Sequence, residues 1–134
     1  MRFLIVDDSP IIRIVIRQCL LPYGQCDEAK NGKEALEKFT NCAEAGEYYD
    51  LICLDLQMPE TDGIQALLAI RESERQRGLA KGAKVIVITA EDDRNVVLGA
   101  VQAGADAYVV KPVSRQALDK HVAALLPRAA TAEA

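Results

Sequence analysis

Two apolar runs in this chain, LICL (51–54) and VIVIT (85–89), contain no alternating polar residues. A strand with one face in water alternates apolar and polar side chains, so runs of this kind predict strands buried on both faces. FLIV (3–6) and AYVV (107–110) add two more candidates, and a weaker one lies at 25–29. Between them run longer segments with helical spacing, at 9–21, 33–42, 63–77, 92–103 and 114–126. Turn signals at Pro22-Tyr23-Gly24, Asn31-Gly32 and Gly104 separate the elements. Asn-Gly can open a hairpin, but the residues that follow, KEALEKF, are strong helix formers and predict the start of a helix. Strands alternating with helices imply βαβ units with right-handed crossovers. The expectation is an α/β fold: a small doubly wound parallel sheet of five strands with five helices on its two sides.

The 134 residues suit one domain, expected over 1–126, with the Ala-rich end PRAATAEA (127–134) frayed. Nothing after Leu126 resembles a linker toward an output domain, so a stand-alone domain is expected. With 16 basic and 20 acidic residues, the net charge of −4 argues against nucleic acid or an anionic membrane as the main partner. The apolar stretches fall well short of the roughly 20 residues that cross a bilayer. The first residues, MRFLIV, lack a secretory pattern, so a cytoplasmic location is expected. The four cysteines, Cys19, Cys26, Cys42 and Cys53, form no C-x-x-C pair, and His121 alone is too few for a mixed zinc site. They read as buried, reduced thiols.

In open parallel sheets the functional site lies at the carboxyl ends of the strands. Here the first strand ends in Asp7-Asp8, the third in Asp55, the fourth in Thr89, and the fifth is followed by Lys111-Pro112. Three carboxylates together cannot all stay ionised without a counter-charge. A hard divalent cation such as Mg²⁺ supplies one, binding a few carboxylates together with phosphate oxygens. The metal, the ammonium and the hydroxyl would then stabilise a phosphoryl group, and a carboxylate can accept it as an acyl phosphate.

These residues carry a family resemblance. LIVDDSP (4–10), KNGKEAL (30–36), YDLICLDLQMPETDG (49–63), VIVITA (85–90) and AGADAYVVKP (103–112) resemble, in this order, the response-regulator receiver domain of two-component and phosphorelay signalling, of the single-domain chemotaxis type. The likeness runs from residue 3 to about 126. It implies a flavodoxin-like strand order 2-1-3-4-5. It also implies Asp55 as phosphoacceptor, Asp8 and Asp55 as direct Mg²⁺ ligands with the backbone carbonyl of Gln57, and Asp7 acting mainly through water. Lys111 would pair with phosphoryl oxygens ahead of a cis Lys111–Pro112 bond. Thr89 would bond a phosphoryl oxygen and swing inward, and Tyr108 would be the rotating aromatic of the switch. The implied donor is a sensor histidine kinase or a histidine phosphotransfer protein, and the implied recipient is a downstream protein target. Such a domain catalyses its own phosphorylation and dephosphorylation but is not an enzyme with a separate substrate.

Several positions add detail. Asp8 and Ser9 are both capping types ahead of Pro10, so capping and metal binding can coexist there. Gln57 and Glu91, two residues beyond the acceptor and the threonine, are placed to tune dephosphorylation. In the first helix Ile12, Val15, Ile16 and Cys19 form the core stripe. That leaves Ile11 and Ile14 on the flank beside the acid rim as a docking surface for a histidine-bearing helix. The fourth helix carries Gly99 and β-branched residues and is expected to be soft. With the fifth strand and fifth helix it forms an output face whose population shifts on phosphorylation. The charged stretch 71–84 reads as a solvated surface, by helix extension or a bulged loop. Two other readings fit poorly: a phosphatase with a second Asp as general acid would need it where Gln57 stands, and a flavodoxin-like cofactor binder would need a hydroxyl- or Gly-rich loop where DDSP stands. A receiver-like module without phosphoryl transfer is the alternative.

Overall fold

The strands that lack alternation pair side by side in the middle of the molecule. β1 (Arg2–Val6), β2 (Gln25–Ala29), β3 (Leu51–Asp55), β4 (Lys84–Thr89) and β5 (Ala107–Val110) form one parallel sheet in the order β2-β1-β3-β4-β5. The structure, a computed structural model, describes residues 1–58, 61–79, 82–90 and 94–126, with only the backbone of Thr61 and Asp62. The helices are α1 (Pro10–Leu20), α2 (Gly32–Glu44), α3 (Gly63–Gln76), α4 (Arg94–Gln102) and α5 (Arg115–Leu125). The sequence expectation of five strands, five helices and this order holds. The start of the fourth helix, expected from residue 92, and the tail 127–134 lie outside the described residues.

Burial on both faces explains the missing alternation. Leu4 and Val6 of β1, Ile52 and Leu54 of β3, and Val85 and Val87 of β4 pack into one core with Phe39 of α2 and Leu67 and Ile70 of α3. The intervening Phe3, Ile5, Cys53, Ile86 and Ile88 pack into a second core with Ile16 and Leu20 of α1 and Leu118 and Val122 of α5. Each apolar residue along a central strand thus enters one core or the other. The weak strand, QCDEA, is the edge strand β2, where Asp27 and Glu28 are half-buried. All four cysteines are buried and free, and burial raises the thiol pKa of each, that of Cys53 to about 12.

The helices start where the sequence offers caps. The Ser9 hydroxyl accepts from Ile12 N at 3.3 Å with Pro10 as the first helical residue, Asn31 Oδ1 accepts from Glu34 N at 2.8 Å, and the Ser114 hydroxyl accepts from Ala117 N at 3.1 Å. Two features differ from the sequence reading. Gln57–Met58 and Thr61–Asp62 form a short antiparallel ladder before α3. The charged stretch after residue 70 is not a uniformly solvated surface. Arg71 donates to the carbonyls of Ala83 (2.7 Å) and Gly104 (2.7 Å), and Glu74, 5% exposed, pairs with it at 2.8 Å and accepts from Ala83 N at 2.6 Å. These bonds fasten α3 to the segments leading into β4 and β5. Buried main-chain groups need partners, and here long side chains supply them.

Gly99 sits in the middle of α4, where among the described residues a Cβ would meet only Ile64 Cδ1, at an ordinary 3.5 Å. Gly99→Ala is expected to stabilise the fold by about 0.5–1 kcal/mol, because glycine is a poor helix residue and nothing in this position requires it. Urea unfolding followed by circular dichroism measures it. A destabilised variant would show that the α3–α4 contact has no room for a methyl.

Candidate functional site

Parallel strands bring their carboxyl ends to one rim, and main-chain bonds carry the register just beyond the strands. Asp7 N donates to Ala29 O at 3.1 Å, Leu56 N to Ile88 O at 3.0 Å and Lys111 N to Thr89 O at 2.8 Å. These bonds hold the residues after β1, β3 and β5 in place. Asp7 and Asp55 are both fully buried (0% exposed) and Asp8 is exposed, and oxygens of the three carboxylates lie within 4.8 Å of one another. The Lys111 ammonium reaches Asp7 Oδ2 at 3.3 Å and Asp55 Oδ2 at 3.4 Å. The Lys111–Pro112 peptide is cis, as the resemblance implies.

The electrostatics follow from burial. Desolvation raises the Asp55 carboxyl to about 6; the hydrogen bond from Gln57 N and the Lys111 charge pull it down, and the neighbouring Asp7 pushes it up. Burial alone would lower the Lys111 ammonium, but the charges of Asp55 and Asp7 outweigh it and the pKa ends above the ordinary lysine value. One oxygen of each buried carboxylate is already used: Ser9 N donates to Asp7 Oδ1 at 2.9 Å and Gln57 N to Asp55 Oδ1 at 3.0 Å. The other oxygens face the ammonium. Among the described residues Asp7 Oδ2 is buried without a well-formed hydrogen bond and meets the Lys111 ammonium at 3.3 Å.

That leftover acceptor is what a hard cation would take up. Three clustered carboxylates against one ammonium leave excess negative charge, and all the donors are oxygens, the preference of Mg²⁺. The residues present therefore fit a divalent cation, with Asp7, Asp8, Asp55 and the Gln57 carbonyl as the groups to hold it.

The other predicted positions fall as follows. Thr89 is buried at the end of β4, on the same rim. Tyr108 lies on β5 opposite Val87 with its side chain 46% exposed. The Gln57 side chain is exposed, and its Oε1 accepts from Ala90 N at 3.3 Å, linking the loop after β3 to the end of β4. Ile11 and Ile14 are 71% and 53% exposed, on the flank of α1 away from its buried Ile16 and Cys19. Glu91 lies outside the described residues. Two residues at the site escaped the sequence reading. A Cβ on Gly63 would lie 2.6 Å from Asp55 O, so only glycine lets α3 start this close to the acceptor strand. Its signal was the Asp-Gly pair at 62–63. Arg13 of α1 donates to Asp7 O at 2.7 Å, a contact with no sequence signature. The opposite rim, at the amino ends of the strands, carries an open cleft of about 900 Å³ beside Asp50, Arg71 and Lys84, and no residue of the acid cluster lines it.

The family model described as the response regulator receiver domain matches residues 3–123. The chemotaxis protein CheY of Bacillus subtilis (strain 168) is 37% identical over 113 residues, covering 83% of this chain and 85% of that protein. The transcriptional regulatory protein ResD of the same organism is 40% identical over 129 residues, 96% of this chain but 49% of ResD. Among solved structures, the response regulator TrrA from Thermotoga maritima in complex with Mg²⁺ and BeF superposes with a TM-score of 0.73 at 36% identity, covering 93% of this chain and 98% of that one. The CheX–CheY–BeF3–Mg²⁺ complex from Borrelia burgdorferi gives 0.80 at 30% identity, covering 93% and 88%.

The raised Asp55 carboxyl has a consequence for stability. The folded protein holds this proton up to about pH 6, whereas an unfolded aspartate releases it near 4, so metal-free stability falls as pH rises through that interval. The loss is about 3 kcal/mol at most, and Asp55→Asn should remove it. Urea unfolding in chelator from pH 3.5 to 7.5 measures the difference between the two proteins. The gap should open between pH 4 and 6 in favour of the variant; a constant gap would mean that the Asp55 carboxylate is not desolvated.

Proposed function

This chain belongs to the response regulator receiver family, and on that premise we propose that it is a phosphorylation-driven signalling switch that accepts a phosphoryl group on Asp55. One observation carries this reading: a fully buried, partly protonatable carboxylate lies beside two more acids and under a shared ammonium. In the proposed reaction an Asp55 oxygen attacks the phosphorus of a phosphohistidine. The new O–P bond forms as the P–N bond breaks, and the electron pair returns to the imidazole nitrogen of the donor. The Lys111 ammonium, already at the Asp55 carboxylate, pairs with the phosphoryl oxygens, and the Thr89 hydroxyl bonds one of them. Bound Mg²⁺ would neutralise the acid cluster and the charge on the phosphoryl oxygens. Asp7, Asp8, Asp55 and the Gln57 carbonyl would hold it, with Asp7 acting mainly through water.

The donor is a sensor histidine kinase or a histidine phosphotransfer protein in the same cytoplasmic compartment. It docks through an apolar helix on Ile11 and Ile14, the exposed flank of α1 next to the acid rim. Phosphorylation draws Thr89 inward, Tyr108 turns from its exposed position into the space vacated, and the face of α4, β5 and α5 binds a downstream protein target. Leu98, Val101, Tyr108 and Val110 already expose apolar surface on α4 and β5. The gain and loss of the phosphoryl group are self-catalysed, with Gln57 and Glu91 tuning the loss, and no separate substrate is turned over. Among the described residues no helix is long and apolar enough to cross a membrane.

Intact mass after incubation with phosphoramidate and Mg²⁺ tests the chemistry. One phosphoryl group should add to the wild type, and none should add to Asp55→Asn or in chelator. No addition to a folded, Mg²⁺-binding wild type would leave an interaction module without phosphoryl transfer. Ile14→Glu should slow transfer from the cognate phosphohistidine protein at least tenfold while leaving phosphoramidate labelling unchanged. Equal transfer rates would remove the docking surface from α1.

A further inference from the structure

We propose that Arg13 is a positioning residue for the metal-binding acid pair, acting through the peptide bond between Asp7 and Asp8. The inference rests on reading that pair, with Asp55, as a Mg²⁺ site. Arg13 lies in the first turns of α1, and its main-chain N–H donates to the carbonyl of the cap residue Ser9 at 3.1 Å. Its guanidinium turns back over the start of the helix and donates to Asp7 O at 2.7 Å. That oxygen belongs to the Asp7–Asp8 peptide, so its direction sets the course on which Asp8 leaves β1. The other end of the guanidinium is anchored: Arg13 Nε donates to Glu28 Oε1 at 3.1 Å, and Arg17 takes Glu28 Oε2 at 2.8 Å. Glu28 stands on β2, and its own main-chain carbonyl accepts from Lys38 of α2.

The result is a backbone held from both sides. The Asp7 N–H is taken by Ala29 O of β2 at 3.1 Å and the Asp7 carbonyl by Arg13. With Ser9 N on Oδ1, the Asp7 side chain turns Oδ2 toward Lys111, and among the described residues that buried atom has no hydrogen bond. Asp8, by contrast, is exposed, and among the described residues no hydrogen bond or ion pair fixes its side chain. What orients it is the peptide plane from which it leaves. A guanidinium suits the task because its rigid fork meets two acceptors on different elements at once, and a single ammonium cannot reproduce that geometry. Partners behind metal ligands commonly govern affinity by 10–100-fold.

The sign of the effect separates positioning from plain electrostatics. Removing a positive charge near an acid cluster would by itself tighten binding of a dication. Loss of positioning would weaken it. Calorimetric titration with MgCl₂ alone, on wild type, Arg13→Ala, Arg13→Lys and Arg17→Ala, reads the difference. Arg17→Ala removes the other cation on Glu28 without touching Asp7. The expected result is a Kd for Mg²⁺ about tenfold or more higher in Arg13→Ala, a smaller rise in Arg13→Lys, and Arg17→Ala within about twofold of wild type. Unchanged or tighter Mg²⁺ binding in folded Arg13→Ala overturns the proposal, as does an equal weakening in Arg17→Ala. If Arg13→Ala fails to fold, Arg13→Lys carries the same comparison, and wild-type affinity in it overturns the proposal. A wild type that binds no Mg²⁺ overturns the metal site itself together with the role of Arg13. Normal wild-type binding with an unaffected Arg13 variant overturns the positioning role alone.

Discussion

The Lys111 ammonium stands between Asp7 and Asp55, and the site depends on that contact. Both carboxylates are fully buried, and a buried carboxylate loses hydration that a nearby positive charge partly replaces. The compensation is incomplete. Burial still holds the Asp55 carboxyl well above the usual range, and among the described residues one oxygen of Asp7 has no hydrogen bond. A fold that tolerates this imbalance keeps a site ready for added positive charge and for a phosphoryl group. The large apolar cores on both faces of the sheet are what allow an under-compensated cluster to persist at its rim.

Strand direction makes the cluster possible. Because β1, β3, β4 and β5 run parallel, residues separated by up to about a hundred positions end on the same edge. Pairing antiparallel would send alternate strand ends to opposite rims and scatter the acids, the hydroxyl and the lysine. The same geometry leaves the amino-end rim to other interactions, where Arg71 and Glu74 tie α3 to the segments entering β4 and β5.

Much of this is legible in the amino-acid sequence. Strands buried on both faces announce themselves by uniform apolarity, so β1, β3 and β4 stand out, and QCDEA is weak because an edge strand keeps polar residues. Asp7, Asp8, Asp55, Thr89 and Lys111 could be picked out because each sits at a strand end, where side chains of matching chemistry recur. Arg13, Gly63, Arg71 and Glu74 were not legible. An arginine on a helix looks the same in sequence whether its guanidinium meets water or a carbonyl of another element. A glycine shows its necessity only when its neighbours' positions are known: here Asp55 O and Leu56 Cα, both 2.6 Å from where a Cβ would stand.

By itself the sequence determined the fold class, the succession of elements and the chemical inventory of the rim, because hydrophobic periodicity and strand-end identity are local properties of the chain. Tertiary structure decided what those groups experience. It buried Asp7 and Asp55 while leaving Asp8 exposed, placed Lys111 within 3.4 Å of both buried acids, and turned Arg13 onto the peptide between Asp7 and Asp8. Burial, distance and the direction of a carbonyl depend on residues far apart in the chain, so they come into being only when the sheet closes.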